Sequence, residues 1–140
     1  MSSTIPDTYQ AYVDYVSGLT GYTLNDRLPD PDYEPGPNAH KSFYLEFLEK
    51  SRVEVGSGNR ENAQVVFSLE ILFRYPQKNT FSENEKATWT DIDQLERNLL
   101  NFAHGRGDYL EMEITLADNG DGFKRAEITG FIQFWRSLEP

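Results

Sequence analysis

The stretch KSFYLEFLEKSRVEVGSGNRENAQVVFSLEILFRYPQ, residues 41–77, decides the fold class of this chain. Phe43, Leu45 and Phe47 alternate with Ser42, Tyr44 and Glu46, and Val53 and Val55 carry the pattern past an irregularity near Leu48. A period of two sends alternate side chains to opposite faces, so this is a strand. GSGNREN, residues 56–62, reads as a glycine-rich hairpin tip. On the return strand Val65, Phe67, Leu69, Ile71, Phe73 and Tyr75 share one face. The other face carries Val66, Ser68, Glu70, Leu72 and Arg74 and is only half apolar. The first face requires a core; the second is available to water or a partner.

Working outward towards the N-terminus, PDPDYEPGPNAH places Pro29, Pro31, Pro35 and Pro37 close together, which excludes helix and central strand and predicts an extended surface loop. GYTLNDRL before it predicts a short extended piece. In PDTYQAYVDYVSG, Tyr9, Tyr12, Val13 and Val16 fall at helical spacing, with Pro6 and Asp7 suited to a first turn and Gly18 to the stop. Towards the C-terminus a second helix is predicted, with a short-armed capping box at Thr90 and Asp93 and an apolar stripe of Ile92, Leu95, Leu99 and Phe102. Two more strands follow. Leu110, Met112, Ile114 and Leu116 alternate with polar residues in the first; the second, FKRAEITGFIQFWRSL, has large apolar residues on both faces, Phe131 and Trp135 against Ile132 and Phe134. The predicted order is α-β-β-β-α-β-β: an α+β fold, a mostly antiparallel sheet with two helices packed on one face.

At 140 residues the chain, 1–140, reads as a single domain able to bury roughly two-thirds of its unfolded surface. Thirteen basic against 23 acidic residues give a net charge of −10, which repels phosphate backbones and argues against binding to the outside of a nucleic acid. There is no cysteine, so disulfides, thiolate zinc sites and cysteine nucleophiles are excluded. MSSTIPDTYQ lacks the features of a signal peptide and no apolar run reaches the roughly 20 residues of a membrane span, so a soluble, cytoplasmically made protein is expected.

Four possible sites have plainer readings. HGRGDY, residues 104–109, contains the integrin-binding triplet Arg106-Gly107-Asp108. It joins a helix ending near Ala103 to a strand starting near Tyr109; Gly105 suits a left-handed C′ position and Gly107 the reversal, so a turn is expected, not an adhesion site. DNGDG, residues 118–122, resembles a calcium loop, but the third and twelfth positions counted from Asp118 are Gly120 and Thr129, so the pattern fails and a hairpin turn is expected. His40 and His104 lie far apart in predicted loops without a metal-ligand spacing. Asp91 and Asp93 are explained by a helix N-terminus, which favours acids. No phosphate loop, nucleophile elbow or dinucleotide fingerprint occurs, so no catalytic, metal or cofactor-binding residue is assigned and no enzyme is expected.

GYTLNDRLP, the long hairpin KSFYLEFLEKSRVEV…AQVVFSLEILFRYPQ, the helix DIDQLERNLLNF and the closing AEITGFIQFW together resemble, in order and spacing, the tail terminator proteins of long-tailed bacteriophages, the family typified by the terminator of phage lambda. The resemblance spans nearly all the chain, rests on no single diagnostic motif, and departs from the family in a longer, stiffer proline-rich loop. It implies a structural virion protein at the head-proximal end of the tail, made in the host cytoplasm. Such a protein caps the tail tube as a homo-hexameric ring, ends tube polymerisation and presents a surface to the head–tail connector. Its partners would be the tail tube protein and the connector protein, with DNA only passing through the lumen, no membrane and no cofactor. Six copies would carry a charge of about −60, which lets DNA pass without sticking.

Candidate assembly residues are Asn59, Arg60 and Glu61 at the hairpin tip, expected to be mobile in the free protein, and Glu70, Leu72 and Arg74 on the half-apolar face. Two alternatives remain. An acidic DNA-mimic inhibitor would need acids regularly spaced on one exposed face. A small-ligand-binding or enzymatic α+β domain would need an aromatic pocket, built from Tyr44, Phe67, Phe131 and Trp135.

Overall fold

The computed structural model describes residues 4–26, 39–56, 60–118 and 123–138. The chain runs α1 (Ile5–Ser17), β1 (Thr23–Leu24), β2 (Ser42–Gly56), β3 (Arg60–Phe73), α2 (Phe81–Arg106), β4 (Tyr109–Asp118) and β5 (Lys124–Ser137). The strands form one sheet in the order β1-β2-β3-β5-β4. Only the short β1–β2 contact is parallel; the other three pairings are antiparallel. This is an α+β fold.

The two faces follow from the register. Ile71 on β3 lies between Phe43 on β2 and Ala126 on β5, and Leu69 between Leu45 and Ile128. The alternating row from Ala63 to Phe73 is almost wholly buried and packs in one core with Tyr12, Val13 and Val16 of α1 and Ile92, Leu95 and Leu99 of α2. Both helices therefore cover the same face. The irregularity expected near Leu48 is a β-bulge between Phe47 and Glu49, with Leu48 54% exposed. A second register shift lies between Arg52 and Glu54. After the first bulge the alternation of β2 inverts, which brings Lys50 and Arg52 opposite Val65 and Ala63.

α1 is capped by Thr4, whose hydroxyl accepts from the Asp7 amide at 3.1 Å. Tyr9 sits at the margin of the core, donating to the Leu45 carbonyl at 2.6 Å and meeting Phe47 edge-on. α2 begins ten residues earlier than the sequence reading placed it. Its capping box is Thr80 and Glu83, each side chain bonded to the other's backbone amide, not Thr90 and Asp93. Its first two turns are polar and Phe81 is 75% exposed, so no apolar stripe marks this start.

The C-terminus of α2 also shifts. The left-handed cap is Gly107, at φ 81°, with its amide bonded back to Ala103 and His104 carbonyls; Gly105 lies inside the last helical turn. The helix continues past Ala103 to Arg106, whose guanidinium lies over the Tyr12 and Phe102 rings at 5.7 and 5.8 Å and pairs with Asp108 at 2.9 Å; Phe102 itself stacks on Tyr15 at 4.2 Å and meets Tyr12 edge-on at 5.1 Å. A second glycine is demanded by packing. A Cβ on Gly130 would lie 1.8 Å from the Glu111 carbonyl oxygen, so β4 and β5 can approach as they do only because none is there.

Candidate functional site

The uncovered face of the sheet carries the residues that the core rejects. Row by row across β2, β3, β5 and β4, the register sets Tyr44, Glu70, Glu127 and Thr115 side by side. The next row is Glu46, Ser68, Thr129 and Glu113, and the next Glu49, Val66, Phe131 and Glu111. Glu46, Glu49, Glu111, Glu113 and Glu127 are exposed. These glutamates are scattered in sequence between residues 46 and 127, and the sheet gathers them. Basic residues on this face include Arg125, 3.8 Å from Glu70, and Arg60 at the far end of β3. Glu70 also accepts a hydrogen bond from the Tyr44 hydroxyl, and burial followed by that bond holds the phenol's pKa well above its usual value.

Beside the glutamates lie partly exposed rings. Phe131 rests against Tyr109, itself 52% exposed, and the Arg60 guanidinium lies 5.1 Å from the Trp135 ring centre. The last strand is thus not fully covered on both faces: Ile132 and Phe134 are buried, whereas Phe131 and Trp135 stay half open because no element packs over them among the described residues. Phe67 points into the core while Tyr44, Phe131 and Trp135 lie on the opposite face, so the four do not form an aromatic pocket.

The hairpin end holds a feature that the sequence reading missed. Glu61 belongs to β3, not to the tip, and is completely buried. It lies one row beyond Ala63 and Phe134, on the core face but past the last apolar row. Three cations close over it: Lys50 Nζ, Arg52 Nε and Arg136 Nε, each 2.7 Å from a carboxylate oxygen. The Lys50 hydrogen bond, outweighing the opposing effect of burial and joined by Arg52 and Arg136, lowers the Glu61 carboxyl to about 2. The signal was present in the bulge: shifting the register after Leu48 turns Lys50 and Arg52 to the face that Glu61 occupies.

The six candidate assembly residues therefore separate. Arg60 is exposed at the start of β3; Glu61 is buried in its ion cluster; Asn59 lies outside the described residues, as do the tip at 57–59 and most of the proline-rich loop. Glu70 is on the uncovered face. Leu72 is 2% exposed, buried with Ala39 and Phe123 in a small second cluster, and Arg74 lies over the Phe123 ring at 5.3 Å. These two are occupied within the chain.

The other sequence candidates have internal roles too. In the Arg106-Gly107-Asp108 triplet, the Asp108 carboxylate accepts from the Tyr12 hydroxyl at 2.8 Å and from Arg106 Nε at 2.9 Å, so the triplet forms the helix cap and its acid is engaged within the chain. Asp91 and Asp93 sit in the middle of α2, and the N-terminal explanation for them fails. Asp91 accepts from the Tyr75 hydroxyl and pairs with Lys41 at 3.4 Å, and Asp93 pairs with Arg97 at 3.1 Å. His40 Nδ1 accepts the Arg74 amide at 2.9 Å, and burial lowers its pKa; His104 is exposed on α2. Among the described residues no group of three or more His, Asp or Glu side chains is placed to hold a metal ion, and no helix is long and apolar enough to cross a membrane. The 119–122 part of the DNGDG turn lies outside the described residues.

Fold and surface together define a small α+β protein with one sheet face sealed by helices and the other an open field of glutamates and rings. No family model matches the chain, and no curated protein matches it.

Proposed function

We propose that this chain is a structural assembly protein of the tail-terminator kind, which caps a phage tail tube as a ring and forms the surface joined to the head connector. The observation that carries the proposal is the broad uncovered sheet face, where Tyr109, Phe131 and Trp135 lie exposed or half-exposed among glutamates. Aromatic residues within a polar surround are the composition of protein–protein contacts. The long hairpin β2–β3 and the resemblance of the elements to that family support the same reading. DNA mimicry is the second reading, and one observation favours it: glutamates distant in sequence share one face. The rings among them argue for a protein surface, since imitation of a phosphate array has no use for exposed Tyr109 or Trp135.

The test is electron microscopy of tails with this protein tagged. Label at the head-proximal end of the tube is expected, and tails lengthen without control when the gene is deleted. Particles lacking the protein would sink the proposal. Tight binding to a nucleic-acid-binding protein that duplex DNA displaces would favour the second reading.

A further inference from the structure

β4 is the last strand of the sheet, with no neighbour on its outer side among the described residues. It pairs with β5 in unbroken register from Tyr109 to Asp118 and contains neither proline nor lysine, residues that commonly blunt such a margin. A regular row of main-chain donors and acceptors therefore faces outward. The core also stops short here. Ile128 and Ala126 of β5 are fully buried, whereas their neighbours Ile114 and Leu116 on β4 are only half-buried, as is Met112 beside Gly130.

The helix above leaves the same margin unfinished. α1 packs on β1 and β2, and α2 on β4. One flank of α2 is turned towards α1 and the start of β2: Phe102 meets Tyr12 and Tyr15, and Asp91 pairs with Lys41. The helical repeat places Trp89 and Leu100 together on the opposite flank, on the side of β4, where they are 45 and 42% exposed. On the other face of the sheet the margin is acidic. Glu111 and Glu113 are exposed, with exposed Glu127 of β5 beside Thr115. The cations of β5 opposite the end of β4, Lys124 and Arg125, pair with Glu85 and Glu70, and Arg60 lies opposite Ser137, past the last residue joined to β4.

We propose that β4 takes up, as a sixth strand, an extended segment of a different protein whose residues alternate between apolar and basic. Main-chain hydrogen bonds hold such a strand, and its alternate side chains select it. Its apolar residues continue the core beside Met112, Ile114 and Leu116 and against Trp89 and Leu100. Its lysines or arginines stand on the other face beside Glu111 and Glu113, where opposite charges stabilise a cross-strand pair and like charges oppose it. That sign excludes a second copy of β4 as the occupant. The contact does not depend on a ring.

The test uses the full chain and a synthetic peptide of alternating lysine and valine, as long as the stretch from Leu110 to Leu116. At low ionic strength this peptide is expected to bind and to slow amide exchange along β4. A block peptide of the same composition, lysines first and valines after, keeps the charge and loses the alternation; it is expected to bind roughly tenfold more weakly. The alternating peptide with methylated backbone amides keeps the side chains and loses the main-chain donors, and the same weakening is expected. Glu111→Lys/Glu113→Lys, altered at exposed positions and verified as folded by circular dichroism, should bind the lysine peptide roughly tenfold more weakly and take up an alternating glutamate–valine peptide instead. Failure of the lysine–valine peptide to bind overturns the proposal, as do equal binding of the block or methylated peptide and protection of amides away from β4. Exchange along β4 that slows when the protein alone is concentrated would make a second copy the occupant, and that also overturns it.

Discussion

Replacing Glu61 by Gln keeps the shape of the side chain and removes the charge that three cations surround. In the folded chain the carboxyl is lowered from 4.5 to about 2, which linkage converts to roughly 3 kcal/mol at neutral pH. Arg52 is half exposed and Lys50 and Arg136 about a quarter to a third, so water screens the pairs and about 1–2 kcal/mol survives. The amide also leaves three like charges together without a counter-charge, which acts in the same direction; the variant is expected to lose about 2–3 kcal/mol. Urea unfolding of both proteins across a pH series measures this. Because the folded pKa lies below the unfolded one, the contribution is complete above the unfolded value and is lost as pH falls towards the folded value. The gap between wild type and Glu61→Gln should stay constant from about pH 7 to about pH 5.5, then narrow towards about pH 2. Other carboxylates titrate in both proteins and cancel in the difference. A variant as stable as the wild type at neutral pH, or a gap that does not narrow in acid, refutes the reasoning.

The two glycines near the end of α2 should behave oppositely. Gly107→Val puts a β-branched residue at φ 81° and is expected to cost at least about 1–2 kcal/mol in chemical denaturation, whereas Gly105→Ala, in a helical turn with open space around it, should add about 0.5–1 kcal/mol. Gly130→Ala forces a methyl against the Glu111 carbonyl, and a loss of about 1–3 kcal/mol is expected in the same assay, with faster amide exchange along β4. Asp108→Ala leaves the buried Tyr12 hydroxyl without its acceptor and should lower stability by about 1–2 kcal/mol, while adhesion of cells to surfaces coated with the protein is the same as for the wild type.

What was legible in the sequence was whatever periodicity encodes. The alternation from Val65 to Tyr75 fixes β3 and its buried face, and the break at Leu48 announces the bulge. Less legible were the ends of α2. Its first turns are mostly polar, so the apolar, buried spacing begins only at Thr88 and Ile92, and the Thr80–Glu83 box, although of full capping-box spacing, has no apolar stripe behind it to mark it as a helix start. At the other end two glycines stand within three residues, and the contacts that favour the second are those of Arg106, between them, with the Tyr12 and Phe102 rings and Asp108, which the local sequence does not state. The acidic face and the Glu61 cluster depend on register between strands. A one-residue bulge decides which side Lys50 and Arg52 occupy, and a single sequence does not state which rows lie side by side.

The bulges in β2 bear on whether the open edge of the sheet can take up another strand. β1 pairs with β2 over two residues only, so beyond Phe43 the outer side of β2 has no neighbouring strand among the described residues. Such a margin is a template on which another chain can add a strand and build a fibril. Here the template is spoiled: the ladder is interrupted twice, and Glu46, Glu49 and Lys50 stand along it. At the opposite margin β4 carries Glu111 and Glu113, so an antiparallel copy laid alongside would set carboxylate near carboxylate. Endless growth through backbone hydrogen bonds is disfavoured at both sides of the sheet. The ring proposed for this chain would therefore be held by side-chain contacts, which can stop at a defined number of copies, and not by a continued ladder.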